Sequence, residues 1–175
     1  TTALNSGASV VTGNKALLAT HGGQLLELAQ AKGVDLLFEA AVAGAIPVVR
    51  TVKEGLAGDK IISISGILNG TTNYILDEMT TKGLDYATAP AAAQQLGYAE
   101  ADPTADVEGL DAAAKAAILA TLAFGQEVTL ADVSVTGISK ITKADIDQAG
   151  ARGGVLRLLG TVQAPAGQPS AVVEP

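Results

Sequence analysis

Between Glu100 and Asp111 five carboxylates, those of Glu100, Asp102, Asp106, Glu108 and Asp111, fall within twelve positions, and Lys115 follows four residues later. This is the densest polar cluster of the chain, and it marks a candidate site. If residues 110–124 form a helix, Asp111 and Lys115 project from one face together with the apolar Ile118 and Leu122, at the edge of a core. Spacing alone also describes a surface ion pair contributing about 0.3–0.5 kcal/mol. On that reading Glu100 and Asp106 are solvated loop carboxylates and Asp102 caps a local turn. Taken singly, Lys15 reads as an exposed lysine and Glu39 as a structural residue at a strand end. His21 is the one histidine, and its stripe with Leu18, Leu25 and Leu28 reads as partly buried packing rather than a catalytic base.

These residues need elements to hold them. Hydrophobic periodicity predicts a strand over Ala8–Thr12 with Asn14-Lys15 as its polar end, then a helix over Ala16–Lys32 stopped by Gly33. A buried strand is expected over Val34–Val42, a loop over Gly44–Ile46, and a helix opened by Pro47 that ends before Gly58. Lys60–Leu68 reads as a strand alternating Ile61, Ser63 and Ser65 against Ile62 and Ile64. Thr71 or Thr72 should cap a helix that stops at Gly83, and a further helix should run to Leu96 with a late start near Thr88 or a kink at Pro90. Gly97–Gly109 reads as a polar loop and Leu110–Phe124 as an Ala-rich helix. Val133–Gly137 is expected as a strand, Thr142–Ala151 as a helix capped by Thr142, and Val155–Ala164 as a strand. The end from Pro165 onward is expected to fray. Strands and helices mixed in this way predict a sheet domain of the α/β or α+β class.

The 175 residues suffice for one well-cored domain. Three Tyr, two Phe and no Trp leave the core to Ala, Val, Leu and Ile. A formal charge of −7 opposes binding to a phosphate backbone, so nucleic acid is not expected as a partner. No apolar run approaches the roughly 20 residues of a membrane span, and Thr1–Ser9 lacks the pattern of a signal peptide, so a soluble, cytoplasmic protein is expected. The chain has no Cys, which excludes thiolate metal sites and aldehyde oxidation through a covalent thiohemiacetal. No G-x-G-x-x-G spacing occurs among the twenty glycines, so a dinucleotide pyrophosphate would have to be held elsewhere.

The string Leu96-Gly97-Tyr98-Ala99-Glu100-Ala101-Asp102-Pro103-Thr104-Ala105-Asp106-Val107-Glu108-Gly109-Leu110-Asp111-Ala112-Ala113-Ala114-Lys115 resembles the signature of the homoserine dehydrogenase family. Val10-Val11-Thr12-Gly13-Asn14-Lys15, Phe38-Glu39-Ala40-Ala41-Val42-Ala43-Gly44-Ala45-Ile46-Pro47 and Gly66-Ile67-Leu68-Asn69-Gly70-Thr71-Thr72-Asn73-Tyr74-Ile75-Leu76 are similar to the family as well. Gly13 stands where the family more often has Ala. Similarity extends from about Val10 to Gly160.

This resemblance implies an α+β fold, a mixed sheet with helices packed against it, forming a dehydrogenase substrate and dimerisation domain. It implies that residues 1–15 are the last strand and edge of a mostly absent nucleotide-binding domain, that 16–164 are the substrate-binding and catalytic domain, and that 165–175 are a tail. The implied activity is NAD(P)-dependent interconversion of L-homoserine and L-aspartate 4-semialdehyde, on the route to threonine, methionine and isoleucine, with NADP or NAD as cofactor.

The same resemblance distributes the roles. Glu100 accepts the substrate ammonium, while Tyr98, Gly70 and Thr71 line the pocket. Asp106 and Asp111 lie near the reacting end, and Asp111 accepts from the substrate hydroxyl. Lys115 is the acid or base, Lys15 supplies a second positive charge, and Asn14 and Lys15 touch the cofactor. Glu39 and the carbonyls of Val42, Gly44 and Ile46 form a site for a monovalent cation, Na+. A homodimer is expected, and the chain on its own is expected to bind NADP(H) poorly and lack turnover. The alternative is a non-enzymatic dimerisation or amino acid-sensing module on the same scaffold.

Overall fold

The computed structural model describes residues 1–97 and 102–175. Two compact units form. The first comprises Thr1–Ile64, Ala114–Val133 and Thr161–Ala171, and the second Ser65–Ala113, Ser134–Gly160 and Val172–Pro175.

In the first unit a short helix, α1 (Thr2–Asn5), precedes β1 (Val10–Val11). The long helix α2 (Lys15–Lys32) then leads to β2 (Leu36–Leu37), which pairs parallel with β1, Val10 facing Leu36 and Val11 facing Leu37. The expected strand over Ala8–Thr12 contracts to two residues. Asn14 is not its polar end but the cap of α2, its Oδ1 accepting the Leu17 N–H at 3.0 Å. Gly33 closes the helix with φ 64°, a left-handed conformation that glycine adopts without Cβ strain. Leu18, Leu25 and Ala29 are buried along α2, but His21 is exposed and departs from helical geometry with φ −133°. The packing role expected of His21 is therefore overturned. The helix breaks at His21, just before Gly22-Gly23, so the regular spacing that put it on the Leu18–Leu25 stripe does not hold there.

The strand expected over Val34–Val42 ends at Leu37. After it Glu39–Ala41 curl into a 3-10 turn, and the Glu39 carboxylate accepts the N–H groups of Val49 and Arg50 at 3.0 and 2.9 Å. Reaching those two donors requires the chain to leave the extended conformation. Pro47 precedes α3 (Val48–Arg50), which widens into a π turn over Thr51–Gly55. The strand expected over Lys60–Leu68 contracts to β3 (Ser63–Gly66), with Ser63 and Ser65 exposed and Ile64 half-buried.

The second unit is organised on α4 (Gly70–Lys82), which stops at Gly83 as expected. Its cap is Asn69 rather than Thr71 or Thr72. The Asn69 Oδ1 accepts the Thr72 N–H at 2.9 Å, so the helix begins two residues earlier than a Thr71 cap would place it. Ile75, Leu76 and Met79 are almost fully buried. Against α4 pack α5 (Ala89–Gln95), through the buried Ala89 and Ala93, and the single turn α6 (Thr104–Val107). Pro90 falls in the first turn of α5, the late start that its missing N–H permits.

The helix α7 (Leu110–Phe124) spans the expected residues. Alanine is the strongest helix former, and a helix that is apolar on every side is a buried one. Ala112, Ala113, Ala116, Ala117 and Ala120 are at most 1% exposed. Then come β4 (Val133–Val135), α8 (Lys143–Ala151), capped reciprocally by Thr142 and Asp145, and β5 (Leu159–Gln163). The expected fraying after Pro165 does not occur. A tight turn at Pro165–Gly167 leads into β6 (Ser170–Glu174), whose alternate residues Ala171 and Val173 are 3% and 0% exposed. Period-two burial overrides the loop-like Pro and Gly that precede it. The larger sheet has the strand order β3-β5-β6-β4. Helices and sheets combine as the expected α+β fold.

Candidate functional site

In the first unit the start of α2, the turn after Phe38 and the middle of α7 surround a cavity of about 470 Å³. Lys15 and Lys115 both line it. Asn14 adds an amide, and the rest of the wall is Gly13, Ala16, Ala40, Ala41, Ala43 and Gly44, none larger than a methyl group. Small walls leave room for a ligand, and two lysines give it positive charge. Lys15 is exposed, whereas Lys115 is half-buried and is the only charged residue of α7 beyond Asp111. A lysine set into an alanine helix loses hydration, a cost that a surface position would avoid. Ala43 and Ala45, on either side of Gly44, have φ of 50° and 68°. Non-glycine residues enter that region at a cost of roughly 1–2 kcal/mol each, and such strain gathers at functional sites.

In the second unit lies an acidic cluster. Asp111 is 8% exposed, so a place in an exposed surface ion pair is excluded for this residue. Asp106 is half-buried. Both accept from one amide, the Asn69 Nδ2 donating to Asp106 Oδ1 at 2.7 Å and to Asp111 Oδ2 at 2.9 Å. Two N–H bonds of one amide diverge by about 120°, which holds the two oxygens roughly 5 Å apart. Like charges at that separation repel by about 3 kcal/mol at an effective dielectric of 20. The shared amide offsets that repulsion with charge-assisted hydrogen bonds. Gly70 and Thr71 open α4 immediately beside Asn69, Gly70 exposed and Thr71 half-buried.

The remaining predicted residues divide clearly. Asp102 is exposed and caps its turn, accepting from the Thr104 N–H at 3.0 Å and the Thr104 hydroxyl at 2.6 Å. The hydroxyl bond, then the backbone bond, hold its carboxyl below the ordinary range. Tyr98 and Glu100 lie outside the described residues. Glu39 is exposed with both oxygens on backbone N–H groups, Val42 is fully buried, Gly44 is exposed and Ile46 is 63% exposed. Among the described residues no group of three or more His, Asp or Glu side chains is placed to hold a metal ion, and no helix is long and apolar enough to cross a membrane.

Sequence reasoning placed Asp111 and Lys115 on one helix and linked Lys15 with Lys115. It missed Asn69, although an Asn directly before a helical run is a strong N-cap signal. It also missed the left-handed alanines, which leave no trace in residue type.

The model of the homoserine dehydrogenase domain matches residues 47–175, and that of the homoserine dehydrogenase NAD-binding domain matches residues 1–39. Homoserine dehydrogenase of Mycobacterium tuberculosis is 60% identical over 157 residues, 90% of this chain and 36% of the relative. The structure of a homoserine dehydrogenase from Thiobacillus denitrificans superposes with a TM-score of 0.94 at 44% identity, over 99% of this chain and 40% of that one. A hyperthermophilic archaeal homoserine dehydrogenase in complex with NADPH gives 0.84 at 30% identity, over 99% and 49%. The chain thus spans about a third of the length of the curated relatives it matches. With a family model covering most of its residues and the fold reproduced throughout, the chain belongs to the homoserine dehydrogenase family.

Proposed function

We propose that this chain is the substrate-binding and catalytic part of an NAD(P)-dependent homoserine dehydrogenase, acting on L-homoserine and L-aspartate 4-semialdehyde. The observation that carries the proposal is the cavity lined by both Lys15 and Lys115, with Asn14 and otherwise only glycine and alanine. The archaeal relative binds NADPH. Asn14 and Lys15 begin α2 beside the cavity, where helix-end N–H groups and a cation suit a polar, negatively charged cofactor. When bound, NAD(P) supplies the hydride acceptor or donor.

The chain's own residues manage the amino acid and one proton. Lys115 takes the hydroxyl proton as homoserine is oxidised and returns it to the oxygen as the aldehyde is reduced. Asp111 accepts from the substrate hydroxyl and Asp106 binds beside it, while Glu100, with Tyr98, Gly70 and Thr71, receives the ammonium end. Lys15 adds positive charge where the alkoxide develops. The loop carbonyls of Val42, Gly44 and Ile46, with Glu39, offer oxygen donors only, a set that fits Na+. Residues 1–15 serve as nucleotide-domain edge and 16–164 as catalytic domain, and residues 165–175 contribute β6 to the larger sheet.

The test is NADP+- and NAD+-dependent oxidation of L-homoserine by the full-length protein. Turnover is expected there and not in the 175-residue chain alone, and light scattering is expected to give a dimer. A full-length protein that binds amino acids without oxidising homoserine would favour a sensing module.

A further inference from the structure

We propose that Asn69 is a positioning residue that fixes Asp106 and Asp111 in one mutual orientation for the substrate. This deepens the homoserine dehydrogenase reading and rests on it for the identity of that substrate. Asn69 is 5% exposed, and its side-chain amide makes four hydrogen bonds. Oδ1 accepts from the Thr72 N–H at 2.9 Å and the Thr72 hydroxyl at 2.8 Å, and Nδ2 donates to Asp106 at 2.7 Å and to Asp111 at 2.9 Å. The Thr72 N–H can only donate, so it fixes which end of the amide is oxygen and turns both N–H bonds toward the acids.

Helix capping does not explain the residue type. Asp caps a helix about as well as Asn and Ser nearly so, but Asp has no donor and would set a third carboxylate against two others, while Ser has a single donor. Among side chains of this reach, Asn alone combines an acceptor for the helix with two donors for the acids. Its backbone is held as well. The Asn73 Nδ2 donates to the Asn69 carbonyl at 2.8 Å and to the Leu158 carbonyl at 3.1 Å, and the Asn73 Oδ1 accepts the Leu158 N–H at 3.0 Å. The clamp is thus anchored to α4 and to the residue preceding β5 before any ligand arrives.

The experiment uses the full-length protein carrying Asn69→Ser, Asn69→Asp, Asp111→Asn and the exchange Asn69→Asp with Asp111→Asn. Steady-state homoserine oxidation and thermal unfolding are measured for each. Asn69→Ser, which keeps the cap and one donor, is expected to lower kcat about 10-fold with the KM for NADP+ unchanged. Asn69→Asp is expected to lower kcat further and to lower Tm. In the exchange variant the amide at 111 donates to the carboxylate at 69, so Tm should recover while kcat stays low. A wild-type kcat in Asn69→Asp, or an exchange variant whose Tm loss equals the sum of the two single losses, would overturn the clamp. If the wild-type protein does not oxidise homoserine, the functional reading fails by itself, and the Tm of the exchange variant still decides the clamp.

Discussion

Lys15 at the first position of α2 and Lys115 midway along α7, a hundred residues apart in the chain, line the same cavity. Neither lysine stands out by residue type. Their shared wall of glycine and alanine does, because it leaves the two lysines as the charged residues of one cavity.

Removing the half-buried one tests the assignment directly. Lys115→Ala in the full-length protein is expected to lower kcat for homoserine oxidation by roughly 10²–10⁴-fold, the usual worth of a positioned acid or base. Circular dichroism should show an intact fold, since the neighbouring α7 positions are already Ala. A kcat within a few-fold of wild type would remove Lys115 from the chemistry.

Glu39 carries two readings that one pair of variants separates. As the partner of the Val49 and Arg50 N–H groups it stabilises the start of α3, and Glu39→Ala should cost about 1 kcal/mol in unfolding free energy. If the carboxylate also holds Na+, Tm of the wild type should rise with NaCl beyond its rise with choline chloride, and the variant should lose that difference. Equal responses to the two salts would leave Glu39 with the helix start alone.

Gly137 is the tightest glycine in the second unit. A Cβ there would collide with the Val107 carbonyl and the Glu108 backbone, while the Ile138 N–H donates to that same carbonyl at 2.7 Å. Gly137→Ala is expected to destabilise by about 2–3 kcal/mol through forced backbone movement, read by chemical denaturation. Gly70→Ala, with open space around its added methyl, is the control and should shift stability far less.

Acid should expose the α8 cap. The Thr142 hydroxyl first, then its backbone N–H, hold the Asp145 carboxyl below the ordinary range. A carboxyl depressed in the folded state adds stability above its unfolded pKa and loses it as pH falls through the folded one. Tm of the wild type should therefore decline more steeply on acidification than that of Thr142→Ala. Parallel curves would contradict the pairing.

The legible part of this structure was the part governed by local chemistry. Helix α7 was readable because alanine has the strongest intrinsic helix propensity, and Thr142 because its capping partner lies three residues away. The strands contracted because pairing sets their length: Leu36–Leu37 pairs only with Val10–Val11, and Glu39 then turns back toward Val49. Strand β6 reads as a tail in the sequence because Ser170–Glu174 reveals its alternation only once Ala171 and Val173 have something to bury against. At the site, the resemblance supplied the acids and lysines. Asn69 was hidden because its meaning lies in bonds to residues 37 and 42 positions away.

The loop at Ala43 and Ala45 limits how far this part of the chain can drift. Left-handed backbone tolerates Gly, Asn and Asp and penalises branched or bulky side chains, whatever space surrounds them. A randomised library at position 45, selected only for folded protein, should return little beyond Gly, Ala, Asn and Asp. The torsion at position 45 thus restricts the residue type independently of any ligand.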